Sequence, residues 1–271
     1  MNWTVAGMVA GWIILYWLIL GWKCRIQHGI LVLPLLLAGA VGYAFTLTVL
    51  NASNRTGVLF TLVLTGILTG AGLLGYVLYR FTRNPSRPLP VREDMIFSPA
   101  DGIVRYVRKL ESGDRLTCFK HGRSLSVPAD LQASFLKTSC WHIGIEMSLM
   151  DVHVNRIPAS GKIIYQEHCP GRFLSLRNPE AVSRNEQVAT IVAARRLHVG
   201  VIQIASRMVR RIVTFRYAGD SVRAGEPFGR IIFGSQVDLV FPCGDVSSVN
   251  VKTGDRVLAG VSVIAHVSEN R

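Results

Sequence analysis

The chain has 271 residues, 49% of them hydrophobic, and a formal net charge of +13. Its five cysteines (Cys24, Cys118, Cys140, Cys169 and Cys243) show no CxxC spacing, so the sequence offers no metal cluster and the thiols read as reduced core residues. The basic balance calls for an anionic partner, and the uncharged runs described next favour lipid headgroups over nucleic acid.

In chain order, Asn2–Trp22, Ile30–Leu50 and Gly57–Tyr79 carry no Asp, Glu, Lys or Arg. Each is long enough to cross a hydrocarbon core of roughly 30 Å, which takes about 20 helical residues. Trp3, Trp12, Trp17 and Trp22 suit interfacial anchoring, and the glycines of the third run suit close helix packing. The expectation is a membrane anchor of about three transmembrane helices over residues 1–80. Arg80, Arg83, Arg87 and Arg92 follow the third run, so the positive-inside rule places residues 81–271 in the cytoplasm of a multi-pass inner-membrane protein.

Arg83-Asn-Pro-Ser-Arg-Pro-Leu-Pro90 reads as a linker. Beyond it come short β-forming runs separated by Gly, Asp and Pro: Gly102–Val107, Gly161–Tyr165, Gln187–Val192, His198–Ile204 and Val209–Phe215. These predict a β-rich domain, large enough at about 190 residues to bury one sizeable core. Gly219-Asp-Ser-Val-Arg-Ala-Gly225 and Gly254-Asp-Arg-Val-Leu-Ala-Gly260 share the pattern GD-x-V-x-A-G, which resembles the hairpins of biotinyl and lipoyl domains. The expected fold is therefore an N-terminal α-helical transmembrane anchor followed by a β-rich soluble domain with biotinyl/lipoyl-like hairpins.

Three segments carry chemistry. Ser98-Pro-Ala-Asp-Gly102 sets Asp101 in a turn; Met147–Pro158 sets His153 in an extended run; Phe233-Gly-Ser-Gln236 sets Ser235 after a glycine. An acid, a base and a hydroxyl are the parts of a nucleophilic triad. The Gly234–Ser235 bond also suits self-cleavage, because glycine leaves its carbonyl open to Ser235 Oγ. The alternatives are a Gly-Ser β-bulge in a non-enzymatic, membrane-anchored adaptor, and a serine hydrolase. The hydrolase lacks its nucleophile elbow, since Gln236-Val237 follows the serine.

Together these pieces resemble the phosphatidylserine decarboxylase proenzyme family, of the compact type. The matching segments are Arg83-Asn-Pro85, Ser98–Gly102, Met147-Ser148, Asp151–Pro158, Asn185-Glu186, Gly200-Val-Ile-Gln-Ile-Ala205, Arg210–Val213, Gly225-Glu-Pro-Phe-Gly229 and Phe233-Gly-Ser235, in family order. The resemblance implies a decarboxylase that converts phosphatidylserine, or an archaeal ether lipid with the same headgroup, into the ethanolamine lipid. It implies cleavage between Gly234 and Ser235 into a β and an α chain, with Ser235 becoming a pyruvoyl cofactor. In this reading His153 activates Ser235 and Asp101 supports His153. Arg156 stands where many members carry a second histidine and is a candidate partner of the substrate's phosphate or carboxylate. Gln236 stands where Thr or Arg is common. No metal is implied, and a homodimer through the β-rich domain is a further expectation.

Overall fold

The computed structural model describes residues 55–88, 92, 94–114, 116–120, 123–126, 135, 137–148, 150–170, 186–205, 211–232 and 235–268. The chain divides into two compact units, Met1–Arg80 and Phe81–Arg271. What is described of the first is helix α1 (Arg55–Thr82), which runs two residues into the second.

The expected spans Asn2–Trp22 and Ile30–Leu50 lie outside the described residues. The third falls on α1, and no helix among the described residues is long and apolar enough to cross a membrane. That finding overturns the expected transmembrane anchor and the multi-pass, inner-membrane placement with a cytoplasmic domain. The expectation rested on absence of charge, which is a weaker criterion than apolarity.

The β-rich part of the expectation matches the structure. The strands are β1 (Met95–Phe97), β2 (Gly102–Leu110), β3 (Thr117–Lys120), β4 (Arg123–Ser126), β5 (Cys140–Met147), β6 (Val154–Arg156), β7 (Gly161–Cys169) and β8 (Gln187–Ala194). They continue with β9 (His198–Ile204), β10 (Arg211–Thr214), β11 (Ser221–Val222), β12 (Pro227–Ile232), β13 (Ser235–Pro242), β14 (Val246–Val249), β15 (Arg256–Val257) and β16 (Val263–Val267). An eight-stranded sheet runs β11-β7-β8-β9-β13-β5-β2-β15, beside two three-stranded sheets, β1-β16-β14 and β6-β12-β10, and the hairpin β3-β4. Every pairing is antiparallel.

The central strand β13 is buried on both faces, with Val237, Leu239 and Phe241 on one and the polar Gln236 and Asp238 beside Val240 on the other. Val237, Leu239 and Phe241 join the core that also takes Ile96 and Ile264 from one small sheet and Phe228 and Ile231 from the other. Val240 joins a second cluster with Leu116, Cys118, Phe135, Ile202 and Ile204.

The GD-x-V-x-A-G echo is the visible part of an internal two-fold repeat. Gly219 and Gly254 take positive φ (101° and 98°), as do Gly225 and Gly260 (82° and 69°), conformations that glycine adopts at no steric cost. Gly254 N donates to Val104 O and Gly219 N to Ile163 O, each at 2.8 Å; Gly260 N donates to Ser98 O and Gly225 N to Ile157 O, also at 2.8 Å. Ser98-Pro-Ala-Asp-Gly102 thus matches Ile157-Pro-Ala-Ser-Gly161, and the two segments bond each other reciprocally, Phe97 N to Pro158 O and Arg156 N to Pro99 O, both 2.9 Å. Even the irregularities agree: β2 shifts register between Val104 and Tyr106, β7 between Ile163 and Tyr165. The sheet orders obey the same symmetry. One copy, β6–β12, is continuous in sequence; the other is split around it, with β1, β2 and β5 before and β13–β16 after.

Candidate active site

His153 sits one residue before β6, at the end of a turn that its own sequence builds. Asp151 N donates to Ser148 O, and Ser148 N donates to the Asp151 carboxylate at 2.7 Å. The Asp151 carboxylate also takes a bond from Arg256. So held, the Asp151 carbonyl lies 2.9 Å from His153 Nδ1. A carbonyl only accepts, so Nδ1 carries the proton and Nε2 presents its lone pair. Nε2 is buried and has no partner among the described residues. The ring lies 4.1 Å from the Phe81 ring and is fully buried. Burial strips water from the imidazolium and pushes the pKa down to about 4, against the bond to Asp151 and the charges of Asp151 and Asp101. At neutral pH His153 is a neutral imidazole with a free basic nitrogen, the state a general base requires.

The strand that enters the candidate cleavage bond runs beside this histidine. Ile231 N in β12 donates to His153 O at 3.2 Å. β12 ends at Ile232 and β13 begins at Ser235, opposite Met147 of β5. Gly234 lies outside the described residues, and Ser235 is described by its backbone.

Asp101 has different partners from those expected of a triad acid. Arg87 grips its carboxylate with two bonds of 2.7 and 2.8 Å, and Ala259 N donates to Oδ1 at 2.8 Å. Arg87 also bonds Ala259 O. In the matching copy Ser160 Oγ accepts from Ala224 N at 3.0 Å, so the turn-capping part of Asp101's role is shared by both copies and the negative charge belongs to one. Asp101 reaches His153 through its charge, while the ring's hydrogen bond goes to Asp151. Arg156 is buried; its donors go to Gly225 O, Asn84 Oδ1 and Pro85 O at 2.8–2.9 Å, which fastens the linker to the β-rich unit. Sequence reasoning missed Arg87 and the Asp151 carbonyl. Arg87 was read only as part of a basic cluster, and a main-chain acceptor leaves no residue signature.

A second buried polar group also escaped notice. On β13 Asp238 accepts from Tyr106 and from Gln236 Nε2 (2.7 Å) and lies 2.9 Å from His142 Nε2. Cys118, His142 and Asp238 place their donor atoms within 4.8 Å of one another. Burial alone would raise the Asp238 pKa, but bonds from His142, Cys118 and Tyr106 hold the carboxyl below its usual range.

A buried, neutral imidazole beside the entry to a central strand is the arrangement that a general base in an enzyme requires. The family model for phosphatidylserine decarboxylase matches residues 74–265. A phosphatidylserine decarboxylase proenzyme of Geobacter metallireducens is 32% identical over 232 residues, 84% of this chain and 91% of the relative. One of Symbiobacterium thermophilum is 36% identical over 200 residues, covering 73% and 82%. A candidate archaetidylserine decarboxylase proenzyme of Methanocaldococcus jannaschii is 34% identical over 193 residues, covering 71% and 90%. The chain belongs to the phosphatidylserine decarboxylase family and is an enzyme.

Proposed function

We propose that this protein is a self-processing, pyruvoyl-dependent decarboxylase that turns the serine headgroup of phosphatidylserine into ethanolamine. The observation that carries the reading is the unpartnered, buried Nε2 of His153 beside the strand that leads into Gly234–Ser235. His153 takes the Ser235 hydroxyl proton as Oγ attacks the Gly234 carbonyl, and the peptide becomes an ester. Elimination across Cα–Cβ of Ser235 breaks the ester, releases the Gly234 carboxylate and leaves dehydroalanine. Water then replaces the nitrogen, ammonia departs, and residue 235 is a pyruvoyl group.

The residues present fit that group: the base is buried and neutral, and glycine precedes the serine. When formed, the ketone supplies the electron sink for loss of the headgroup carboxylate as CO2. Phe81 keeps the site dry on one face of the imidazole. Asp101, held in place by its ion pair with Arg87, carries a carboxylate charge that favours the imidazolium formed as His153 takes its proton. The products of cleavage are residues 1–234 and 235–271. Similarity to the Methanocaldococcus relative, at an identity between those of the two bacterial ones, favours an ether lipid with the same headgroup as a second substrate.

Intact mass of the wild type beside Ser235→Ala tests the proposal. The expected wild type is two chains, the smaller one ammonia lighter than a peptide that begins with serine, with carbon dioxide released from phosphatidylserine in detergent micelles. A single uncleaved chain indistinguishable from Ser235→Ala would sink it.

A further inference from the structure

Two motif residues that the cleavage chemistry leaves idle, Asn155 and Gln203, form a buried amide pair. Both are fully buried. Asn155 belongs to β6 and Gln203 to β9, so the pair bridges a small sheet and the large one. Gln203 Nε2 donates to Asn155 Oδ1 at 2.8 Å, and Asn155 Nδ2 donates to Met147 Sδ at 3.7 Å. A thioether sulfur has no proton to give, so Met147 fixes the Asn155 amide with nitrogen toward sulfur. That in turn fixes the Gln203 amide with nitrogen toward Asn155. Gln203 Oε1 is left as a buried acceptor with no donor among the described residues. Glycine at 229 makes the space for it: a Cβ there would stand 2.8 Å from Gln203 Nε2 and 3.2 Å from Oε1. The acceptor belongs to the active site by two connections. Met147 is the strand partner of Ser235, and Asn155 follows His153 by two residues in the same extended run.

We propose that Gln203 Oε1 binds an N–H of the substrate's primary amine and so selects amino headgroups, with Asn155, Met147 and Gly229 holding the amide in place. The inference rests on the decarboxylase reading for the identity of its ligand. A desolvated carbonyl without a donor is costly, and a ligand that supplies the N–H removes that cost. A primary amine supplies one; a quaternary ammonium has none and leaves the acceptor unpaired. Sites built around a buried polar group reject the analogue that lacks the matching atom.

The test uses the full chain, its cleavage state read by intact mass, after borohydride has reduced any ketone so that binding is noncovalent. Calorimetry then compares glycerophosphoethanolamine with glycerophosphocholine. The wild type is expected to prefer the ethanolamine compound by about tenfold, the worth of one such hydrogen bond. Gln203→Met is expected to lose that preference while still folding, with a lowered melting temperature because it also leaves Asn155 Oδ1 without its donor. Gly229→Ala, which displaces the amide and leaves it intact, is expected to lose the preference too. A wild type without preference, or a Gln203→Met protein that keeps it, overturns the assignment. An uncleaved chain that still shows the Gln203-dependent preference overturns self-processing and leaves the assignment standing.

Discussion

His153 shows how a residue acquires its chemistry from its surroundings. Its folded pKa, about 4, lies below the ordinary 6.5, so between those values the unfolded chain binds a proton that the folded one refuses. Stability contributed by the neutral ring is fully present above pH 6.5 and is lost as pH falls toward 4, to a total of about 3 kcal/mol. His153→Gln should therefore flatten the denaturation midpoint across that window and also stop the appearance of the smaller chain at any pH. In the wild type, a processing rate that rose with a midpoint near 6.5 would show a solvated histidine instead. Arg87 and Asp101 make the complementary case. Their side chains are 11% and 4% exposed, so removing one strands the charge of the other. Arg87→Met should cost about 3 kcal/mol by urea denaturation, and adding Asp101→Asn should restore part of it. Equal losses from the single and double variants would show that the pair is not coupled.

Elements were legible where side-chain type and backbone demand coincide. The runs Gly102–Val107, Gly161–Tyr165, Gln187–Val192 and His198–Ile204 all fall within strands, because alternating β-branched residues between Gly and Asp have few other solutions. The motif residues His153 and Ser235 could be read as a base and a hydroxyl because their neighbours were diagnostic. The clamp on Asp101 could not, since Arg87 and Ala259 are 172 residues apart. The membrane expectation rested on absence of charge alone, and two of its three runs lie outside the described residues. Gly144 illustrates an element-level demand that only packing reveals. A Cβ there would meet the Tyr106 ring at 2.4 Å, in the middle of β5. Gly144→Ala must push that ring off Asp238 and should destabilise the protein by about 2 kcal/mol, measured by urea denaturation. A change below a few tenths would mean that the ring has room to move.

At the scale of the whole β-rich unit, the candidate catalytic residues sit where the two copies differ. Asp101 answers to Ser160 in the other copy, and His153, by the same offset, to Asp94. The symmetry was legible only as a seven-residue echo, since the second half of each match lies far away in the chain. Cleavage at Ser235 would free a chain whose strands are spread through the molecule: β13 in the middle of the large sheet, β15 at its edge, and β16 between β1 and β14. The two products should therefore co-elute in gel filtration and separate only in denaturant; separation in native buffer would contradict the topology.

In the interrupted copy the proposed scissile bond has a particular place. Residues 154–232 complete one copy without a break, and residue 235 is where the other resumes. The bond therefore lies on the suture between an inserted module and its host, where the backbone is a tether between units that already recognise each other by pairing. Circular permutations succeed at such joints, because opening them removes a link and no contact. On the proposed chemistry, the peptide bond given up for a reactive carbonyl lies where the architecture can do without it.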